Sequence, residues 1–182
     1  MFIKRRKTKQ IRVGAVPIGG GAPVAVQSMT TPDTADVKAT VEQIHQLEQV
    51  GCELVRVTVN TPEAAKALPA IRKQTTVPLI ADIHFDHRLA LQAAEVVDCV
   101  RINPGNIGAW WKVEEVVKVV RERNIPLRIG VNGGSLEREL LVKYGYPTAE
   151  ALAESALNAV HAIEDIGFTN MKVSLKASDV PL

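Results

Sequence analysis

Six short runs rich in β-branched residues, at 24–29, 54–60, 78–84, 99–103, 127–132 and 171–176, recur along the chain with helical patterns between them. Val37, Val41, Ile44 and Leu47 follow helical spacing, and Gly51 supplies a C-terminal stop. Thr61-Pro62 reads as an N-cap followed by proline at the first helical position. Val113, Val116, Val117 and Val120 make a further stripe, and a last helix from about Thr148 to Asp165 ends before Gly167. Strand, helix, strand repeated in this way predicts parallel strands joined by crossovers, since a hairpin can only connect antiparallel neighbours. The one antiparallel signal is "VGAVPIGGGAPVAV", which reads as a glycine-turned hairpin leading into the first buried strand. It lacks the Lys-Ser/Thr pair of a P-loop.

Composition narrows the function classes. The 182 residues are 46% hydrophobic, enough for one ordinary domain with a sizeable core. A formal net charge of +2 and an aromatic content of 4% argue against a nucleic-acid or membrane-surface protein. The basic run "KRRKTKQIR" could hold a polyanion, but it reads better as a solvated lead or first edge strand. Cys52 and Cys99 lack CxxC spacing, so neither a disulfide framework nor a metal knuckle is expected from this chain alone. With no apolar leader or membrane-length run, the expectation is a cytoplasmic protein.

Strand alternation exposes an anomaly at "DCVRINPGN", where Arg101 and Asn103 stand two residues apart in a short buried strand that ends at a Pro-Gly turn. The same face of the other strands carries Arg56, Thr58 and Asn60; Asp82 and His84; Arg128, Gly130 and Asn132; and Lys172, Ser174 and Lys176. The opposite face is almost purely aliphatic. Polar residues facing water would be unremarked in an antiparallel sheet, but a parallel α/β sheet is covered on both faces. A barrel of parallel strands gives such residues a place at its C-terminal mouth. Three arginines and a lysine converging there call for an anion, because buried cations without counter-charge are costly and guanidinium forks match phosphate oxygens. The alternative is that each arginine pairs with a core carboxylate, for which these strands offer Asp82 and Asp98.

The segments "VQSMT", "ADIHFD", "VRINPGN", "RIGVNGGSLE" and "MKVSLKAS", in this order, resemble the family of 4-hydroxy-3-methylbut-2-enyl diphosphate synthases of the non-mevalonate isoprenoid pathway. The resemblance implies a TIM (β/α)8-type barrel that binds 2-C-methyl-D-erythritol 2,4-cyclodiphosphate and an iron–sulfur oxidoreductase that opens its ring reductively, with loss of water. By motif, Arg56, Arg101, Arg128 and Lys172 look like diphosphate ligands, Asn103 and Asn132 like neutral hydrogen-bond donors, and Asp82 and His84 like the polar pair near the reacting carbons or their hydroxyls. The resemblance also implies flavodoxin or ferredoxin as electron donor, a homodimer of the full-length enzyme, and a 4Fe-4S cluster on a C-terminal domain.

The chain departs from that pattern in length. A full barrel has eight strands and about 250 residues, whereas this sequence reaches only its sixth parallel strand. Two cysteines cannot hold such a cluster, so its ligands are expected outside this chain. The expected organisation is a basic lead and hairpin over 1–22 and a partial barrel over 23–182, the N-terminal portion of a longer enzyme. Two other barrel chemistries stay open, a Schiff-base aldolase using Lys172 and a pterin-binding transferase, as does a phosphate-binding module without activity.

Overall fold

The structure, a computed structural model, describes residues 6–179. Lys4 and Arg5 of the basic run lie outside the described residues, and Arg6 to Gln10 form an exposed lead. Strands β1 (Ile11–Val13) and β2 (Val16–Ile18) form an antiparallel hairpin. Strands β3 (Gln27–Met29), β4 (Leu54–Thr58), β5 (Leu79–Asp82), β6 (Cys99–Ile102), β7 (Leu127–Asn132) and β8 (Met171–Lys176) follow as one parallel sheet in that spatial order. Helices α1 (Val37–Gln49), α2 (Pro62–Arg72), α3 (His87–Ala94), α4 (Pro104–Ile107), α5 (Trp110–Glu122), α6 (Arg138–Tyr144) and α7 (Ala149–Asp165) make the crossovers. Each new strand joins the outer edge of the previous one, as in the opening turns of a β/α barrel.

Local chemistry explains the element ends. Thr61 caps α2, its side chain accepting from the Ala64 amide, and Pro62 occupies the first turn where no donor is lost. Thr148 does the same for α7 through the Ala151 amide. The pair Pro104-Gly105 is not a simple turn: Asn103 accepts from the Gly105 amide at 3.1 Å, and Pro104 opens α4. The short α3 and α6 escape a periodicity reading because their buried faces are small, built on Leu89, Ala90, Ala93 and Ala94 in one and Leu140 in the other. The first parallel strand is shorter than its apolar run, since Val24 and Val26 are exposed and pairing begins at Gln27.

The sheet has two distinct faces. Val55, Val57, Leu79, Ala81, Val100, Ile102, Leu127 and Ile129 point outward and pack with the helices into the main core. The alternate residues point into the curve of the sheet. At its N-terminal end the inward Leu54, Ile80 and Cys99 pack against Val13, with Val16 and Ile18 beside them. The hairpin is therefore a plug under the barrel. Its turn requires glycine: Gly14 has φ 54°, and a Cβ there would lie 2.9 Å from Pro78 Cγ.

No helix among the described residues is long and apolar enough to cross a membrane. Strand β8 is paired only with β7 among the described residues, and α7 packs against it only in part, with Met171 meeting the helix-facing core. Val173 and Leu175 are accordingly 43% and 51% exposed, whereas Ile129 and Val131 on the neighbouring strand are buried. An apolar edge with free backbone donors and acceptors invites pairing with a second chain. Light scattering on the purified chain should show self-association that grows with concentration, and a Val173→Lys, Leu175→Lys variant should shift it toward monomer. A wild-type monomer throughout the range would refute this.

Candidate functional site

The C-terminal mouth collects the inward polar side chains into rows fixed by strand register. Asp82 on β5 is in register with Thr58 on β4 and Arg101 on β6, Arg101 with Arg128 on β7, and Arg128 with Lys172 on β8. Arg56 on β4 stands opposite Met29 on β3. One residue row higher Gly130 faces Ser174, and above that Asn132 faces Lys176. Parallel pairing thus brings four cationic side chains from four strands to one place.

Asp82 is the counter-charge for two of them. Its Oδ1 accepts from Arg101 Nη1 at 2.8 Å, and its Oδ2 lies 3.2 Å from Arg56 Nε. Both partners of the Asp82–Arg101 pair are almost fully withdrawn from solvent, with side chains 4% and 10% exposed. Removing one member of such a pair costs about 3–5 kcal/mol, because the other is left charged without a partner. His84 lies just past the end of β5 rather than on it, in the loop before α3, with Nε2 3.6 Å from Asp82 Oδ2. Asp98 plays no part here. It sits at the opposite end of the sheet, accepting from the Leu79 amide at 2.8 Å and pairing with Arg72 at 3.4 Å.

Arg128 and Lys172 have no carboxylate within ion-pair distance among the described residues. Arg128 Nε donates to Ser174 Oγ at 3.1 Å and Nη1 to Gln27 Oε1 at 3.0 Å, both neutral acceptors. Burial, then repulsion from Arg56 and Arg101, lowers the Arg128 pKa from its ordinary value. Burial, followed by Arg128 and Arg56, lowers that of Lys172 as well. Beneath them the Cys99 thiol is pushed up to about 11 by burial, against the opposing pull of the Lys172 and Arg128 charges.

Close packing holds the Arg101 head in place. A Cβ on Gly130 would collide with the Arg101 guanidinium carbon at 2.7 Å, so only glycine lets this side chain cross β7. Asn103 is committed to local structure: besides capping α4, its Nδ2 donates to Ser135 Oγ at 2.7 Å. Asn132 and Lys176 line a recess of about 960 Å³ beside the cationic cluster, together with Gly133, Gly134, Tyr146 and Pro147. All eight residues singled out in the sequence therefore stand at or beside the mouth. Those missed are the acceptors Gln27 and Met29, with Ser135 in support of Asn103, while Ser174, already placed on the polar face, supports Arg128. The period-two pattern of "VQSMT", which puts Gln27 and Met29 on one face, was the available signal.

No group of three or more His, Cys, Asp or Glu side chains among the described residues could hold a metal ion. The two thiols do not fit an iron–sulfur cluster either. Cys52 packs in the helix-facing core and Cys99 inside the curve of the sheet, both buried and on opposite faces.

Comparison with known proteins agrees with this geometry. The model of the GcpE TIM-barrel domain family matches residues 8–182. The chain is 59% identical over 178 residues to the 4-hydroxy-3-methylbut-2-en-1-yl diphosphate synthase (flavodoxin) of Geobacter sulfurreducens, covering 97% of this chain and 50% of that protein. It is 60% identical over 178 residues to the enzyme of the same name from Nitratiruptor sp., covering 98% and 50%. The chain thus spans about half the length of the curated relatives it matches. Among solved structures, Xanthomonas albilineans dihydropteroate synthase superposes with a TM-score of 0.63 at 11% identity, over 90% of this chain and 65% of that one. Thermotoga maritima phospho-2-dehydro-3-deoxyheptonate aldolase gives 0.63 at 16% identity, over 95% and 48%. At such identities these two show the fold alone, a barrel. With the family model covering nearly its whole length, the chain belongs to the GcpE TIM-barrel domain family.

Proposed function

We propose that this chain supplies the substrate-binding barrel of a 4-hydroxy-3-methylbut-2-enyl diphosphate synthase and that its mouth takes the diphosphate of the cyclic substrate. The observation that carries the reading is the charge imbalance: four cationic side chains meet at the mouth with Asp82 as their one carboxylate partner among the described residues. A diphosphate supplies the missing negative charge and the oxygens that guanidinium forks bind. Arg128 and Lys172, which lack a carboxylate, take the diphosphate most directly. Arg56 and Arg101 use their remaining N–H groups, and Asn132 adds a neutral donor from the rim.

Asp82 and His84 then face the carbon end of the substrate. Asp82 is held between two guanidinium groups, which fix its carboxylate where it can accept hydrogen bonds from substrate hydroxyls. His84, 38% exposed and within reach of Asp82, is placed to exchange a proton with the departing hydroxyl, which must leave as water. The reductive opening also needs electrons, and no group of side chains among the described residues fits a metal centre to carry them. We assign the 4Fe-4S cluster and its ligands to a C-terminal domain outside this chain, with flavodoxin or ferredoxin as donor to a cytoplasmic, homodimeric full-length enzyme. We further assign the chain to a 1–22 lead and hairpin and a 23–182 partial barrel, with Val13, Val16 and Ile18 of the hairpin closing the N-terminal end of the sheet.

One observation favours a second reading. The depressed pKa of Lys172 is what an imine-forming amine requires, and a Schiff-base aldolase would use it as nucleophile. Uncompensated neighbouring cations explain the same shift without catalysis, and the family membership favours the synthase.

Inorganic diphosphate should raise the melting temperature of the chain. At a ligand concentration 100 times the dissociation constant the stabilisation is about 2.7 kcal/mol, or roughly 5–10 °C for a chain of this size. The gain should largely vanish in Arg128→Ala. An equal shift in that variant would sink the anion-site reading. Borohydride treatment with small aldehydes or ketoses should leave Lys172 unmodified, and a reduced adduct mapped there by mass spectrometry would favour the aldolase.

A further inference from the structure

The two inward side chains of β3 both serve as neutral seats for arginines. Met29 Sδ accepts from Arg56 Nη2 at 3.0 Å, and Gln27 Oε1 accepts from Arg128 Nη1 at 3.0 Å. The second contact is the unusual one. Gln27 stands on the first strand of the parallel sheet and Arg128 on the fifth, 101 positions further along the chain, so the bond crosses the hollow of the curved sheet. Guanidinium offers no acceptor, so the amide must present its oxygen. Ser174 Oγ holds Nε of the same guanidinium from β8 at 3.1 Å. Two contacts from opposite sides fix the plane of the group.

We propose that Gln27, working with Ser174, is a positioning residue for anion binding: it orients the Arg128 guanidinium across the barrel while leaving its positive charge uncancelled. The inference rests on the diphosphate reading above. Its physical basis is the contrast with Arg101, a still more deeply buried guanidinium, which is paired with the Asp82 carboxylate. A half-buried arginine is ordinarily stabilised by a carboxylate, and a glutamate at position 27 would reach the same place with the same number of atoms. It would neutralise Arg128 and repel the incoming anion. The amide keeps the geometry and omits the charge. Nη2 of Arg128 makes no hydrogen bond within the described residues, so the edge of the fork is left for the ligand.

The test is calorimetric titration of the chain with inorganic diphosphate, accompanied by thermal melts without ligand. Gln27→Glu should weaken diphosphate binding about tenfold or more, yet leave the ligand-free melting temperature unchanged or raised, because a new ion pair replaces a neutral contact. A residue needed only for folding would not separate the two readouts in this direction. In an Arg128→Ala background, Gln27→Glu should have little further effect on binding. Should Gln27→Glu not fold, Gln27→Leu carries the same comparison, with a loss of binding that also disappears when Arg128 is absent. Diphosphate binding in wild type that is equal in Gln27→Glu, or a loss of the same size in both backgrounds, overturns the role of Gln27 alone. Absence of diphosphate binding in wild type overturns the diphosphate reading and this inference with it.

Discussion

The Asp82 carboxylate, shared between Arg56 and Arg101, is the contact on which the mouth of this barrel depends. It joins three neighbouring strands through their side chains as well as their backbones. Without it two guanidinium groups would be drawn into a crowded interior with no counter-charge, a situation that costs several kcal/mol per ion. Its position also divides the cationic cluster. On β4 to β6 two guanidinium groups share one carboxylate, whereas the cations on β7 and β8 have none among the described residues. That asymmetry concentrates the uncompensated positive charge on β7 and β8.

Interior charge is tolerable because the two faces of the sheet have separate tasks. Stability comes from the outer face, where the aliphatic residues of β4 to β7 are buried against helices. The inner face is apolar only at its N-terminal end, where the β1–β2 hairpin closes over Leu54, Ile80 and Cys99. This plug packs Val13 against the layer beneath the arginines, where Ile80 and Cys99 are fully buried. Above it the polar rows open toward the mouth, with Gly130 leaving room for the Arg101 head.

Barrels of this shape host unrelated chemistries, and the structural neighbours illustrate it: a dihydropteroate synthase and a phospho-2-dehydro-3-deoxyheptonate aldolase share the architecture at 11% and 16% identity. What distinguishes this chain is the identity of the inward residues at the strand ends. The arginines, the lysine and the aspartate give the mouth, among the described residues, an excess of positive charge.

Much of this was legible in the sequence. Period-two alternation in parallel strands assigns Arg56, Asp82, Arg101, Arg128 and Lys172 to one face, since the pleat allows no other arrangement once the aliphatic residues claim the helix side. The caps Thr61-Pro62 and Thr148 were equally readable, because capping is settled within a few residues. Periodicity does not report partners. That Asp82 serves Arg56 and Arg101 while Asp98 turns to Arg72 at the other end depends on register between strands about twenty residues apart. That Asn103 spends its side chain on α4 and Ser135 depends on how the next loop folds back. Least legible was the bond from Gln27 to Arg128, since neither side chain is informative alone. Only the curvature of the closing sheet brings the first and fifth parallel strands within hydrogen-bond reach, and curvature is a property of the assembled strands rather than of any one segment.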